Sequence, residues 1–347
     1  MLPQDLLGIL RILISKGWFQ LDHYNKALKA LKYSVQESSN KPQQVISSAK
    51  VKKLSGKATS QWVHIRVFPY IMYFNKWIKE ADDPVFQLAL KLHEITAFLT
   101  AESIRQHEVD TVEELIQSYL DERKVVYDEF PVLGRPKPKH HFLVHYPEAI
   151  KSFGPTGSFW TGRYESKHRV SKSTTESSKN FINITHTVCT RQQLRMCSTY
   201  YNGIFESNYL KLPTNVKRKV DLTNSEGDQK LKLFLSSPGD LICTEIEYKS
   251  RKYKVGDIVV IDRDDLITMD VGLVKSILVR RSEVFFIVKK YKAEMQSQLH
   301  LFICSATNDD FVTVSVKNLK DTYPLMKRGT EEKFVLIQHH HISFENA

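Results

Sequence analysis

The sequence predicts an α+β protein: a helical N-terminal half, a middle region of different texture, and a small C-terminal antiparallel β-barrel or sandwich. Apolar residues recur at helical spacing through the first 125 positions. From Pro131 the chain turns to Pro, Gly, His and aromatics, and beyond Leu231 short Val/Ile/Phe runs recur every ~10 to 15 residues. With 347 residues, 41% apolar and 26% charged, the composition is globular and the length suffices for two domains. The texture divides the chain into residues 1–130, 131–210, a polar linker 211–230 and a β-rich part 231–347.

Leu6, Leu10 and Leu13 fall on one helical face, and Leu21, Tyr24, Leu28 and Leu31 resume the spacing after Gly17 and Asp22. The Ser/Lys/Gln-rich stretch Gln36 to Lys57 reads as a loop. Leu88, Leu92, Ile95 and Leu99 make the next stripe. The clearest helix is expected from Thr111, where Thr111 and Glu114 fit a capping box and Val112, Leu115, Ile116, Tyr119 and Leu120 follow. Phe142, Val144 and Tyr146 alternate with Leu143 and His145 as a half-buried strand would, ended by Pro147. A helix is expected from Trp160. Strands are expected at Val255 to Ile261, Leu273 to Val279, Val284 to Val288, Leu301 to Cys304, Phe311 to Val316 and Phe334 to Ile337.

The net charge of +11 is local. Residues 131–219 hold fifteen Lys/Arg against four acids, which is the whole surplus; the remainder balances. A confined positive field attracts a polyanion and releases its counterions, although a solvated basic surface with no partner has the same composition. No stretch approaches the roughly 20 apolar residues needed to cross a bilayer, and Leu6 to Ile14, interrupted by Arg11, lacks a basic flank for a signal peptide. A soluble intracellular protein without membrane contact is expected. Cys189, Cys197, Cys243 and Cys304 form no C-x-x-C pair, which argues against disulfides and a cysteine zinc site.

The densest chemical grouping is Lys139, His140, His141, His145, Glu165, Lys167 and His168. His141 and His145 with Glu165 could ligate a metal, but a zincin helix carries its Glu between the two histidines. The same histidines and Trp160 could be structural. Thirdly, Glu165 could be one carboxylate of a two-metal phosphoryl-transfer site, flanked by Arg163, Lys167, His168 and Arg169 as phosphate-binding cations, with Tyr164 and Trp160 packed beneath. Such a site normally takes three acids.

PKHHFLVHYP, then FGPTGSFWTGRYESKH, then KNFINITHTVCTRQQLR, resemble the C-terminal part of DDE transposases of the CACTA (En/Spm-like) group and genes derived from them. The spacing is kept over roughly Pro131 to Arg195, and weaker similarity extends through Leu54 to Ser60, through Phe68-Pro69 and into the β-rich tail. The resemblance implies that Glu165 is the last acid of a ribonuclease-H-like core, here a truncated remnant, and that residues 1–130 are the helical insertion preceding it. The confined positive charge makes DNA the expected partner, with Lys137, Lys139, Arg163, Lys167, His168, Arg169, Lys172 and Arg191 as contacts.

The chain departs from the family at its start. Asp5-Leu6-Leu7 and Gly8 look like the remnant of an HDLLEG-like segment, with Gln4 where the histidine belongs, so the first two catalytic acids are expected before Met1. With Glu165 alone the chain should not cut DNA, and Mg2+ or Mn2+ would be held only if acids came from another chain. The alternative is a protein-interaction module working through residues 231–347, where Tyr253-x-Val255-Gly256-Asp257-x-Val259 resembles the opening of chromatin-reader barrels or is an ordinary turn. In His339-His340-His341, alternation sets His340 opposite its neighbours, against a three-ligand site. Val216-Lys217-Arg218-Lys219-Val220 fits a nuclear import signal, although such short basic runs also arise by chance, and the nucleus is the expected location.

Overall fold

The computed structural model describes residues 1–344 except 34–36, 49, 180–181, 202–209, 213–215, 219–233, 235–238, 250, 264, 282, 297 and 331; side chains are further left out at 162–167, 211, 216–218 and 306–310. It is 48% helix and 22% antiparallel strand, the larger sheet curling into a half-barrel, as an α+β reading requires.

Helices α1 (Leu2–Ser15), α2 (Leu21–Ala30), α3 (Ala58–Phe74), α4 (Pro84–Leu99) and α5 (Gln106–Glu129) build the N-terminal half. Residues 4–13 of α1 are all buried except Arg11, so α1 is an axis wrapped by the others rather than a one-faced surface helix. α4 is capped by Asp83, whose carboxylate accepts from Val85 N (2.9 Å) and Phe86 N (3.1 Å). α5 begins five residues before the expected start: Glu108, not Glu114, occupies the third helical position and accepts from Arg105 N at 2.8 Å. Its buried phase is Val109, Val112, Ile116, Tyr119, Arg123 and Val126.

The segment expected as a strand is helical. α6 (Pro138–His141), a 3-10 turn (Phe142–His145) and α7 (Tyr146–Phe153) run on from one another, with Pro147 in the first turn of α7, where its missing N–H costs nothing. The buried positions are His140, Leu143, Pro147 and Ile150, a spacing of three and four; Phe142 and Val144, required inward by a strand, are exposed. α8 (Thr156–Phe159) follows, and α9 (Gly162–Ser178) starts after Trp160, which is 57% exposed. α10 (Ile184–Tyr201) has no buried residue.

In the C-terminal part, β1 (Leu210–Lys211), β4 (Glu245–Tyr248) and β5 (Arg251–Lys254) form a small sheet ordered β1-β4-β5. The large sheet is ordered β10-β11-β9-β8-β7-β3-β2, from β2 (Val216–Arg218), β3 (Leu241–Cys243), β7 (Thr268–Arg280), β8 (Glu283–Gln296), β9 (Leu301–Ser315), β10 (Met326–Gly329) and β11 (Lys333–Ile337), with β6 (Ile258–Asp262) also on β7. The two strands expected at 301–304 and 311–316 are one long strand. Its register against β8 breaks between Ala306 opposite Tyr291 and Phe311 opposite Lys289, so Asn308, Asp309 and Asp310 fall in a bulge instead of a turn. Gly256 (φ +94°) and Asp257 are an ordinary turn: the Asp257 carboxylate accepts from Lys254 N at 2.9 Å.

Strand β11 shows how the halves meet. Phe334 and Leu336 enter the sheet's own core with Ile258, Val271 and Tyr291, while Val335 and Ile337 enter the core of α1, α3 and α4. Burial on both faces is why this strand reads as a continuous apolar run.

Candidate nucleic-acid interface

The candidate surface is organised around one buried carboxylate. Asp5 on α1 is fully buried, and it is met by residues far along the chain. Its Oδ2 accepts from Tyr119 Oη (2.7 Å) and lies 2.8 Å from His140 Nε2; its Oδ1 accepts from Arg123 Nη2 (2.8 Å) and Nε (3.2 Å). Burial pushes the Asp5 carboxyl up, and the hydrogen bonds from His140 and Arg123 outweigh it and hold it below the usual carboxylate range. Lys137 N donates to His140 Nδ1 at 2.9 Å, so Nε2 carries the proton given to Asp5.

The network then reaches the basic connector between α5 and α6. Arg123 Nη2 also donates to Gly134 O at 2.8 Å, and Gln4 Nε2 to Arg135 O at 3.1 Å. Gly134 sits at φ +87°, the region glycine enters without strain. Gly8 lets the connector lie across α1: a β-carbon there would stand 2.7 Å from Leu133 Cα. Asp5, Gln4 and Gly8, the segment resembling a transposase remnant, therefore position residues 133–140.

The expected contact residues fall in two groups. Lys137 and Lys139 are exposed at the start of α6, beside His141 and His145 whose Nε2 atoms are 3.3 Å apart on the surface. His168, Arg169 and Lys172 are exposed on α9, and Arg191 on α10 donates to Ser177 Oγ of α9 at 3.0 Å. Glu165, Arg163 and Lys167 lie in α9 by backbone, but their side chains are outside the described residues, as is that of Tyr164. By helical spacing, positions 165, 169 and 172 share a face. Among the described residues no three His, Cys, Asp or Glu side chains converge as a metal site. Asp5 cannot serve as a ligand, because Tyr119, Arg123 and His140 already surround its two oxygens.

No family model matches this chain, and no curated protein or solved structure matches it. No helix among the described residues is long and apolar enough to cross a membrane.

The C-terminal histidines form a second buried cluster, and their alternation separates their partners. His339 Nδ1 lies 3.2 Å from Arg66 Nη1, His340 Nε2 lies 3.4 Å from Asp321, and His341 Nε2 lies 2.7 Å from Glu108. His341 also stacks on Phe98, ring centroids 3.9 Å apart, and its N–H donates to Ala97 O at 3.0 Å. Burial lowers His341 to about 4, so the neutral ring donates Nε2–H to Glu108, and that bond helps hold the Glu108 carboxyl at about 2 against its own burial. The cluster docks the sheet onto α4 and α5. Cys243 and Cys304 are buried and Cys189 and Cys197 exposed; all four are free thiols.

Proposed function

We propose that this chain is a transposase-derived protein that binds duplex DNA in the nucleus through backbone phosphates, using the basic 131–219 segment, and does not cut the strands. The supporting observation is the state of the cations. Arg135, Lys137, Lys139, Arg169, Lys172 and Arg195 are exposed and, among the described residues, face no carboxylate at ion-pair distance. By contrast Lys16, Lys91 and Lys290, outside that segment, are paired with Asp83, Glu122 and Asp270, and within it Lys151 is paired with Asp110. An unpaired row of cations gives up least on meeting phosphate, because no internal ion pair is broken.

The ribonuclease-H-like descent of residues 131–210 rests on the resemblance of their sequence. Duplex affinity should fall steeply with salt, by about 10³ to 10⁵ between 50 and 200 mM if 6 to 10 phosphates are contacted. Salt-independent binding, or none, overturns the reading. Magnesium- or manganese-dependent cleavage that Glu165→Gln abolishes would overturn the non-cutting half of it.

A further inference from the structure

A cleft of about 330 Å³ opens where α1, the loop 50–54 and the connector 132–137 meet. Its size is at the small end of ligand pockets, which run roughly from 300 to 1,000 Å³. Four cations line it, Arg11, Lys52, Arg135 and Lys137, and among the described residues no acid does. Two of them come from outside the basic segment. We infer that this cleft is a phosphate-binding site, taking a backbone phosphate of nucleic acid, and thus that the interface is anchored here and not on α9; the inference rests on the DNA-binding reading for the source of the phosphate.

The walls are built to hold the cations in place. Arg11 Nη2 donates to Ser48 O (2.5 Å) and Val51 O (2.7 Å), which ties the lysine-bearing loop to α1. Leu54 N donates to Pro3 O at 2.9 Å and fixes the far end of that loop. A guanidinium has five N–H donors, so Arg11 retains donors beyond those on Nη2. On the opposite wall the Asp5 network holds the backbone of Gly134, Arg135 and Lys137 from beneath. Lys52, Arg135 and Lys137 are exposed, and among the described residues none is in an ion pair. Like charges held together without an internal acid repel one another, and a dianionic or phosphodiester oxygen cluster relieves that repulsion. Lys50, Lys53 and Lys139, exposed on the same loop and at the start of α6, extend the positive field beyond the cleft.

The test compares two charge-matched variants of the full chain, Lys52→Glu with Lys137→Glu in the cleft and Arg169→Glu with Lys172→Glu on α9. Each removes the same net charge. Duplex affinity is measured against salt, and thermal shift is measured with inorganic phosphate. The expected result is at least about a tenfold greater loss of duplex affinity in the cleft variant than in the α9 variant, from two lost charged contacts. The salt slope of the cleft variant should be shallower by about two. Equal losses in both, or loss confined to α9, overturn the cleft and leave the DNA-binding reading standing. If the native chain binds no duplex, that reading falls; saturable stabilisation by phosphate, lost in the cleft variant alone, then makes the cleft a free-phosphate site, and no stabilisation overturns it.

Discussion

The buried ionic network around Asp5 and the helical pair α9–α10 carry similar residue types to opposite ends. Around Asp5, an arginine, a histidine and a tyrosine close on one carboxylate with almost no solvent access. On α9 and α10 His168, Arg169, Lys172, His186, Arg191 and Arg195 are exposed, and Arg191 donates to Ser177 Oγ. The difference lies in supply: α1 is wrapped by apolar neighbours and α5 turns Val109, Val112, Ile116, Tyr119 and Arg123 inward, whereas α10 has no buried residue. A charge enclosed by apolar packing must be matched, and one left in water has no such requirement. Basic residues thus hold the fold together in one region and remain free for a partner in the other.

The sharpest way to break this contrast is Asp5→Ala. It leaves Arg123 as a buried unpaired charge and should cost about 3–5 kcal/mol, read by urea unfolding. A cost under about 1 kcal/mol would mean that the network does not organise the connector. Acid is the next lever. Burial lowers His64 to about 3, His93 to about 3 and His341 to about 4, against about 6.5 when unfolded. Their depressed values mean that the unfolded chain binds protons first as pH falls. Stability should therefore be flat above about pH 6.5 and drop from there toward pH 4, by about 2 kcal/mol per histidine between 6.5 and 5. A melting temperature unchanged from pH 7 to 5 would refute this.

Gly8→Ala pushes a methyl against the connector backbone and should cost about 1–3 kcal/mol, with duplex binding weakened in parallel because Arg135 and Lys137 ride on that backbone. The smallest expected stability effect is from Arg169→Ala with Lys172→Ala, within about 0.5 kcal/mol, while duplex affinity at low salt falls measurably. A large loss of stability there would erase the distinction between the two regions.

Much of the fold is legible in the residues. α1, α2, α4 and α5 follow from apolar spacing, and the strands from runs of Val, Ile and Phe. α3 escapes that reading because residues 60–61 and 63–72 are buried all round, so no stripe exists, and Pro69 looks like a breaker. Residues 142–146 mislead because five positions can match a period of two by chance; His140, Leu143, Pro147 and Ile150 over eleven show the helical repeat. The Asp5 network does leave a trace. Arg123 occupies the apolar phase of α5 after Val112, Ile116 and Tyr119, and Asp5 precedes an unbroken apolar run. A charge at a core phase demands a partner, but only the fold reveals that two such charges answer each other across 118 positions.

Strand β11 sets one further condition on this molecule. Its alternate residues plug two hydrophobic compartments at once, and the histidines just beyond it are seated against Arg66 and Glu108. Severing the chain near residue 230 would strip each piece of part of its interior, leaving greasy surface on both. The whole is thus expected to melt in a single cooperative calorimetric transition, and separately expressed halves should regain native spectra only when mixed.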